Sequence, residues 1–416
     1  MGKFLVEGRH PLSGRISING AKNSALKLMV AALLGHGTFR LENVPRITDV
    51  ETMAGVLRAL GVEVHFTSDL LKLDVSSVRG QTPEALVKAM RASVQVMGPL
   101  LARLGRVEVA RPGGCNIGSR PLDIHLAGFE QMGAKIEVKD DRFVARAPRL
   151  HGADITFRYP SVGATENIMM AATMAKGRTI IRNAAREPEI IDIQDFLNGM
   201  GAQVQGAGTP VITIDGVREL GATDFSVVPD RIEAGTYLLA FLITGGSGTV
   251  EHVVPDHLAP LLDLLEAMGA GVEIREGEVS VVSPPALKSF QVSTGPYPGF
   301  PTDMQPQVVA LATQAEGRSE LKEVVFDRRF GYTLELNKLG ANIAPNNRAV
   351  FIQGKTDLSG ASLTAGDLRG GAALVLGALA AEGQSIIGDI EHIDRGYEAM
   401  EERLQGVGAK IQRLAD

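Results

Sequence analysis

The sequence predicts an α/β protein in which six repeats of about 70 residues form two groups of three, each around buried central helices. Three observations predict this fold class. A phrase of one bulky apolar residue, a glycine and a small residue recurs along the chain. A second glycine turn lies about 24 residues before each phrase, and a very apolar stretch precedes that turn. The glycines of the phrase are Gly61, Gly133, Gly201, Gly269, Gly340 and Gly408, at steps of 72, 68, 68, 71 and 68 residues.

Each phrase is typical of a helix end, because glycine readily adopts the left-handed conformation that follows the last helical turn. An amphipathic helix is therefore expected before the phrase and a strand after it, as at 135–138. The upstream turns contain Gly37, Gly105, Gly177, Gly246, Gly317 and Gly383. The stretches before five of these turns are apolar on nearly all sides, which predicts buried helices at 21–34, 164–175, 234–244, 307–314 and 370–381.

A single repeat has too little surface to bury its own apolar helix. Three repeats around a common axis can bury three such helices, and six repeats divide into two such groups. The polar stretch 216–229 suits the crossover between the groups. A linear solenoid of six αβ units is the alternative interpretation of the same repeat.

Composition narrows the class of protein. With 42 Lys and Arg against 48 Asp and Glu, the net charge of −6 disfavours a nucleic acid or an anionic membrane as the partner of the whole chain. The single cysteine excludes an internal disulfide and a multi-thiolate metal site, and it favours a reducing compartment. No signal peptide and no apolar run of membrane-spanning length is visible, so a cytoplasmic location is expected. Motifs for nucleotide phosphate loops and zinc are missing as well, so neither a metal nor a cofactor is expected.

Charged residues recur at equivalent places in the repeats. The residues that open the apolar helices are Lys22, Arg91, Ser161, Arg231, Asp303 and Arg369. The loops after the strands carry Arg46, Cys115 with Arg120, Arg186, Arg329 and Arg395. Helix N-termini attract anions, and arginine suits carboxylate and phosphate. The pattern predicts a cleft for a multiply charged anion.

Two residues have alternative interpretations. Asp303 is the one carboxylate among the helix openers, and it is either a helix N-cap or a general base for a substrate hydroxyl. Cys115 lies in a loop with glycines and arginines, a setting that lowers a thiol pKa and favours reactivity. A lone cysteine is otherwise usually a small buried apolar residue. The loop looks like an insertion that could act as a lid.

Several short segments match a known family. They are Gly20-Ala21-Lys22-Asn23, Arg91-Ala92-Ser93, Pro112-Gly113-Gly114-Cys115, Gly118-Ser119-Arg120-Pro121 through Asp123, Pro160-Ser161-Val162-Gly163, Arg186-Glu187-Pro188-Glu189, Pro301-Thr302-Asp303-Met304-Gln305, Asp367-Leu368-Arg369 and His392-Ile393-Asp394-Arg395. With these segments the chain resembles the enolpyruvyl transferases over essentially its whole length. The resemblance implies two inside-out α/β barrel-like domains, each of three βαβαββ repeats with the helices inside. It implies a first domain of 22–229, a second domain of 1–21 with 230–416, and an active site in the cleft between them.

The resemblance also implies a reaction. The enolpyruvyl group of phosphoenolpyruvate would be transferred to the 3-hydroxyl of UDP-N-acetylglucosamine through a tetrahedral ketal, as the first committed step of peptidoglycan synthesis. The Pro-Gly-Gly-Cys loop favours this acceptor, because the shikimate-pathway branch of the family lacks that cysteine. The alternatives are the shikimate-pathway reaction and a non-catalytic paralogue that binds UDP-sugars. No cofactor and no obligate protein partner is implied.

Residue roles follow from the same resemblance. It makes Cys115, Asp303, Lys22 and Arg395 the catalytic residues, with Cys115 as the general acid that can form a covalent adduct and Asp303 as the base. Lys22 and Asn23 would contact both substrates, and Arg120 and Arg395 would hold the phosphate and carboxylate of phosphoenolpyruvate, with Arg369 and Arg329 close by. The UDP-sugar site would be lined by Arg91, Arg120, Pro121, Leu122, Asp123, Ile124, Ser161, Val162, Gly163 and Val325. Arg328 precedes Arg329, so which guanidinium faces the site stays open.

Overall fold

A computed structural model of the chain describes residues 2–67, 69–82, 91–110 and 122–414, with the backbone alone for 91–93. The described residues divide into two compact units. The middle unit is formed by the described part of 20–228, and the terminal unit combines 2–19 with 229–414. Each unit has its own cluster of buried apolar side chains, so each has its own hydrophobic core.

Among the described residues, six helices with mostly buried surfaces lie inside the units, and we call them the inner helices. They are Lys22–Ala31, Met97–Leu104 and Val162–Ala172 in the middle unit, and Arg231–Ile243, Gln305–Ala312 and Leu368–Ala380 in the terminal unit. The apolar helices predicted from the sequence are confirmed: the first begins one residue later than predicted, and the other four begin two or three residues earlier. A helix that is apolar all round is stable only when it is buried on every side.

Six amphipathic outer helices alternate with the inner ones along the chain. They are Thr48–Ala59, Asp123–Gln131, Pro188–Gly199, Ala259–Ala267, Tyr332–Lys338 and Met400–Gly406. Each ends directly before the bulky residue of the recurring phrase, and the glycine after that residue has a φ between 93° and 101°. A side chain is strained at such a φ, which explains why the repeat keeps glycine there.

The strands of the middle unit form three sheets, one for each repeat. The first contains Gly37–Glu42, Glu63–Thr67, Leu70–Val75 and Asp224–Ser226, the second Arg106–Ala110, Lys135–Lys139 and Arg142–Arg146, and the third Asp154–Thr156, Arg178–Arg182, Gln203–Gln205 and Val211–Asp215. Asp224–Ser226 pairs in parallel with Gly37–Glu42. The last strand of the unit therefore completes the sheet of its first repeat.

The terminal unit repeats this plan. Its first sheet contains Ser13–Ser17, Ser247–Glu251, Gly271–Arg275 and Glu278–Val282. The second contains Leu287–Lys288, Gln291–Ser293, Ala315–Lys322, Ile343–Asn346 and Ala349–Gly354. The third contains Lys3–Glu7, Ser362–Thr364, Gln384–Gly388 and Lys410–Leu414. Short elements complete the description: Ala32–Leu34, Arg91–Val96, Pro255–Leu258 and Thr302–Met304 are 3₁₀ turns, and Glu391–Asp394 is a one-turn helix. The strands near the N-terminus thus belong to the terminal unit.

The repeats close on themselves within each unit. In the terminal unit the inner helices Arg231–Ile243, Gln305–Ala312 and Leu368–Ala380 pack against one another in all three pairs. In a linear solenoid each repeat contacts only its neighbours, so the first and third helices would not meet. The solenoid alternative is therefore wrong, and the grouping of three repeats around a common axis is confirmed. Within the described part of the chain, no helix has the length and apolar character needed to cross a membrane.

Candidate functional site

Several of the sequence-predicted site residues that the structure describes lie in two clusters, one in each unit. The Asp303 cluster, in the terminal unit, consists of Asp303 with Thr302, Glu323, Arg329 and Arg369. The Lys22 cluster, in the middle unit, consists of Lys22, Asn23 and Asp49 and lies at the beginning of the inner helix Lys22–Ala31. Each cluster is built by the first turn of an inner helix, as the repeat pattern predicts.

Asp303 lies in the 3₁₀ turn Thr302–Met304, which leads directly into the inner helix Gln305–Ala312. Its Oδ1 accepts a hydrogen bond from Arg329 Nη2 at 2.8 Å, and its Oδ2 lies 3.5 Å from Arg369 Nη2. Both arginines are only 3% exposed. Pro301 is the N-cap residue of this turn and Met304 that of the helix, so Asp303 occupies neither N-cap position.

Arg369 is the second residue of the inner helix Leu368–Ala380. Asp367 caps this helix, because its Oδ1 accepts from the backbone N–H groups of Arg369 and Gly370 at 3.0 and 2.9 Å. The Arg369 guanidinium lies 5.4 Å from the ring centroid of Tyr397. Burial by itself would lower the pKa of Arg369, but Tyr397 and Asp303 raise the pKa overall. The side chain is therefore a permanent buried cation.

Some donors on these buried arginines are not used. Arg329 Nε, Arg369 Nε and Arg369 Nη1 make no hydrogen bond among the described residues, although all three atoms are buried. A buried N–H group without an acceptor costs about 1–3 kcal/mol. Unused guanidinium donors next to a carboxylate therefore suit the binding of a further anion.

Glu323 is a member of the Asp303 cluster that the sequence reasoning missed. It is fully buried, and its carboxylate accepts from the hydroxyls of Thr294 and Thr302 at 2.9 and 2.7 Å. It also accepts from the backbone N–H groups of Val325 and Phe326 at 2.8 and 3.0 Å. The sequence marks Glu323 only by its position, as a charged residue that follows the strand Ala315–Lys322 and precedes two valines.

The structure decides between the two adjacent arginines. Arg329 is buried and contacts Asp303, whereas Arg328 is exposed. Arg395 follows the one-turn helix Glu391–Asp394 and is half-buried. Val325 is half-buried in the loop that Glu323 holds.

The Lys22 cluster is organised by ion pairs between inner and outer elements. Lys22 Nζ lies 2.7 Å from Oδ2 of Asp49, which is in the first turn of the outer helix Thr48–Ala59. Both side chains are buried. Asn23 is half-buried, and its backbone oxygen accepts from Lys27 Nζ at 2.8 Å.

A second set of polar contacts ties the inner helices of the middle unit together. Lys27 Nζ lies 3.2 Å from Glu166 Oε1, and Gln95 Nε2 donates to Glu166 Oε2 at 2.8 Å and to the backbone oxygen of Gly163 at 3.1 Å. Burial raises the pKa of Glu166 to about 7, and the nearby Lys27 opposes this rise. The Gln95 amide thus links Glu166 to Gly163 at the start of its helix.

The predicted UDP-sugar residues of the middle unit lie at two helix starts. Ser161 caps the inner helix Val162–Ala172, because its Oγ accepts from Ala164 N at 3.3 Å. A Cβ at Gly163 would come within 3.2 Å of Gln95 and of the His125 ring, so a larger residue there would require these side chains to shift. Leu122, Asp123 and Ile124 begin the outer helix that contains His125, and Asp123 forms an ion pair with Arg158.

Other predicted residues are outside these clusters. Cys115, Arg120, Pro121 and the side chain of Arg91 lie outside the described residues. Arg231 packs on Tyr297, with 5.6 Å from its guanidinium carbon to the ring centroid. Arg46 packs in the same way on Phe66, at 4.5 Å, and Arg186 is exposed. The recurrent arginines are therefore not equivalent in the folded chain.

One group of potential metal ligands occurs among the described residues. Glu63, His65 and Asp74 lie on adjacent strands of the first sheet with their ligand atoms within 4.8 Å of one another. Asp74 already accepts from the Thr38 hydroxyl and pairs with Lys72 at 3.0 Å. We assign no metal to this exposed group.

Comparison with known proteins gives consistent results. The family model described as EPSP synthase (3-phosphoshikimate 1-carboxyvinyltransferase) matches residues 6–404. The chain is 50% identical to a UDP-N-acetylglucosamine 1-carboxyvinyltransferase 2 of Carboxydothermus hydrogenoformans, with 100% of each chain covered. It is 47% identical to a UDP-N-acetylglucosamine 1-carboxyvinyltransferase 1 of Symbiobacterium thermophilum, covering 99% of this chain and 95% of the relative.

Solved structures resemble the whole chain as well. The enolpyruvyl transferase NikO from Streptomyces tendae superimposes with a TM-score of 0.90 at 26% identity, covering 100% of this chain and 99% of NikO. EPSP synthase from Acinetobacter baumannii superimposes with a TM-score of 0.75 at 18% identity, with both chains fully covered. At that identity the second likeness concerns the fold alone.

Proposed function

Because the chain belongs to the enolpyruvyl transferase family, we propose that it transfers the enolpyruvyl group of phosphoenolpyruvate to the 3-hydroxyl of UDP-N-acetylglucosamine and releases phosphate. The observation that carries this proposal is the full-length identity of 46–50% to several UDP-N-acetylglucosamine 1-carboxyvinyltransferases. The shikimate-pathway alternative is not favoured, since the solved EPSP synthases are only 18% identical.

The reaction is an addition followed by an elimination. The 3-oxygen bonds to C2 of phosphoenolpyruvate while a proton is added to C3, which gives the tetrahedral ketal. The C2–O bond to phosphate then breaks, a proton leaves C3, and the double bond returns. This chemistry needs a base for the hydroxyl, an acid for the carbon and cations for two anionic substrates.

Asp303 is the base in this proposal. It is held by two buried arginines, and positive charge nearby favours the ionised form of a carboxylate. An ionised Asp303 can accept the proton of the sugar hydroxyl. Its position on a 3₁₀ turn rather than on a long loop fixes the direction of the carboxylate.

The cations divide between the two units. The unused donors of Arg329 and Arg369 support an anion-binding role for the Asp303 cluster. Arg120 and Arg395 are proposed to hold the phosphate and carboxylate of phosphoenolpyruvate, and Lys22 and Asn23 to contact both substrates, as the family resemblance implies. Asn23, Arg91, Arg120 to Ile124, Ser161 to Gly163 and Val325 are proposed for the UDP-sugar. The two units then correspond to the two domains 22–229 and 1–21 with 230–416.

Cys115 is proposed as the general acid toward C3 of phosphoenolpyruvate, and as the residue that can form a pyruvate-type covalent adduct. Its role rests on the family resemblance of the Pro-Gly-Gly-Cys loop. A thiol in that role is the target of an epoxide phosphonate such as fosfomycin. With these substrates, the protein supplies the first committed step of peptidoglycan synthesis and thereby supports cell shape and division. Its cytoplasmic location stays a prediction.

A phosphate-release assay tests the function. The purified chain is mixed with phosphoenolpyruvate and, separately, with UDP-N-acetylglucosamine or shikimate 3-phosphate. We expect phosphate release only with the UDP-sugar. Release with shikimate 3-phosphate would establish the shikimate-pathway alternative. No release with either acceptor at saturating concentrations, together with UDP-sugar binding in calorimetry, would establish a non-catalytic sugar-nucleotide sensor.

A further inference from the structure

Glu323 has a set of contacts that the proposed reaction does not by itself explain. Its carboxylate is fully buried and accepts four hydrogen bonds, two from backbone N–H groups and two from threonine hydroxyls. Among the described residues, no cation forms an ion pair with it. Burying a carboxylate costs folding free energy unless hydrogen bonds compensate for the lost water. The presence of Glu323 at this buried position therefore needs an explanation.

The direction of the hydrogen bonds at Glu323 can be worked out. Thr294 Oγ1 accepts from the backbone N–H of Val324 at 3.0 Å, so its own proton is available for Glu323 Oε1. Thr302 Oγ1 accepts from Arg329 Nη1 at 2.9 Å, because a guanidinium can only donate. The single proton of Thr302 is therefore directed to Glu323 Oε2, at 2.7 Å.

These bonds form one chain from Glu323 to Asp303. Arg329 donates through Nη1 to the Thr302 hydroxyl and through Nη2 to Asp303 Oδ1, at 2.9 and 2.8 Å. Its guanidinium is thus held at two points on neighbouring residues of one 3₁₀ turn. The Thr302 hydroxyl stays in the accepting orientation because Glu323 takes its proton.

We propose that Glu323 is a positioning residue for the enolpyruvyl transfer proposed above: through the Thr302 hydroxyl it orients Arg329 against Asp303. The proposal rests on that function, because its effect is measured as a change in the rate of that reaction. Glu323 touches no reacting atom and acts only through Thr302 and Arg329. A displacement of about 1 Å in a catalytic group can cost on the order of 100-fold in rate.

A purely structural role for Glu323 is the competing explanation, since it also holds the backbone of Val325 and Phe326. Glu323→Gln separates the two roles. The amide oxygen can still accept from both backbone N–H groups and from Thr294. The amide nitrogen, however, places a donor where Thr302 needs an acceptor, so the Thr302 proton loses its partner. The loop anchor is kept, but the Thr302 hydroxyl is no longer held in the orientation in which it accepts from Arg329.

The test compares Glu323→Gln, Thr302→Val and the double variant in the phosphate-release assay. Each single variant is expected to lower kcat by about 10- to 100-fold, with both KM values within about 3-fold of the wild-type values. Because both changes break one chain, the double variant should be no slower than Thr302→Val alone. Glu316→Gln is the matched control: it is the same change at an exposed position of the strand Ala315–Lys322, and its kcat should stay within about 2-fold of wild type.

Multiplicative losses in the double variant, or a wild-type kcat in Thr302→Val, would overturn the proposal. The second outcome decides the matter even when Glu323→Gln does not fold. Crystal structures of the variants supply a readout that needs no activity. The Arg329 Nη2 to Asp303 Oδ1 distance, 2.8 Å here, should exceed hydrogen-bond length in both single variants. An unchanged distance refutes the positioning role, whereas a wild-type enzyme that releases no phosphate refutes only the proposed function.

Discussion

Asp192 offers a test of how burial beside the inner helix Lys22–Ala31 changes the ionisation of a carboxyl group. It lies in the outer helix Pro188–Gly199 and is 8% exposed. Its Oδ2 accepts from the Ser24 hydroxyl and, at 3.4 Å, from the backbone N–H of Val228. Burial raises the pKa of Asp192 from 3.8 to about 7, and the contacts with Ser24 and Val228 reduce the rise. The perturbation is Asp192→Asn, which keeps the shape and removes the ionisation.

The sign of the effect follows from the direction of the shift. Because the folded pKa lies above the unfolded value, the contribution of Asp192 to stability is complete below pH 4 and is lost as the pH rises toward 7. The full rise corresponds to about 4 kcal/mol, and the part between pH 5 and pH 8 to about 3 kcal/mol. Asp192→Asn has no carboxyl group at this position, so it loses none of this unfolding free energy as the pH rises. Relative to wild type, Asp192→Asn should gain about 3 kcal/mol in unfolding free energy between pH 5 and pH 8.

Hydrogen exchange measured by mass spectrometry is the suitable assay, because it reports the opening free energy of each unit separately. Peptides from Pro188–Gly199 report the middle unit, and peptides from Arg231–Ile243 in the terminal unit serve as the internal control. Asp195→Asn is the matched variant, since Asp195 lies on the same helix and is exposed. Because the charge of Asp195 contributes to raising the pKa of Asp192, Asp195→Asn should reduce the pH dependence of wild type only slightly, far less than Asp192→Asn does.

One result would refute this reasoning. If the free-energy difference between Asp192→Asn and wild type is the same at pH 5 and pH 8, Asp192 does not titrate between those values in the folded chain. The carboxylate would then be stabilised as an anion. An equal response of the peptides from the terminal unit would likewise show that the effect is not local to Asp192.

Three further predictions concern the proposed reaction. Asp303→Asn should lower kcat by about 100- to 10,000-fold while calorimetry still detects UDP-sugar binding, and unchanged turnover would remove Asp303 from the base role. Cys115→Asp should keep an acid, and thus turnover, but resist fosfomycin; mass spectrometry that still finds the label would place the labelled site elsewhere. Arg329→Lys should lower kcat at least about 10-fold because an ammonium cannot bridge Thr302 and Asp303. The exposed neighbour Arg328 supplies the control, and Arg328→Lys should not change kcat. Equal losses of kcat in Arg329→Lys and Arg328→Lys would contradict the assignment of Arg329 to the site.

Much of the fold could be predicted because its signals are local. A left-handed glycine ends each outer helix, so the repeat step is visible in the order of residues alone. The inner helices could be predicted for a similar reason, since a helix without a polar face has to be buried. The choice between closed groups and a solenoid could not be made from these signals. It depends on pairings such as that of Asp224–Ser226 with Gly37–Glu42, which join residues far apart in the chain.

The candidate site could be predicted only in part. The residue types at the helix starts indicated anion chemistry, and the family resemblance added roles to Lys22, Asp303 and Arg395. Nothing in the residue order separates Arg329 from Arg328, because adjacent side chains point in different directions and only packing decides which is buried. The recurrent arginines differ in burial, since Arg329 is buried and Arg186 is exposed, and their common role in an anion cleft stays a prediction.

The α/β class, the six repeats, the buried helices and the family are therefore visible in the order of the residues. These follow from periodicity and from short segments, which are properties of neighbouring residues. Which groups share a hydrogen-bond network depends on the folded unit, and the chain from Glu323 through Thr302 and Arg329 to Asp303 is an example. A hydrogen bond requires two atoms within about 3 Å, and such a distance between residues remote in sequence is set by the packing of the whole unit.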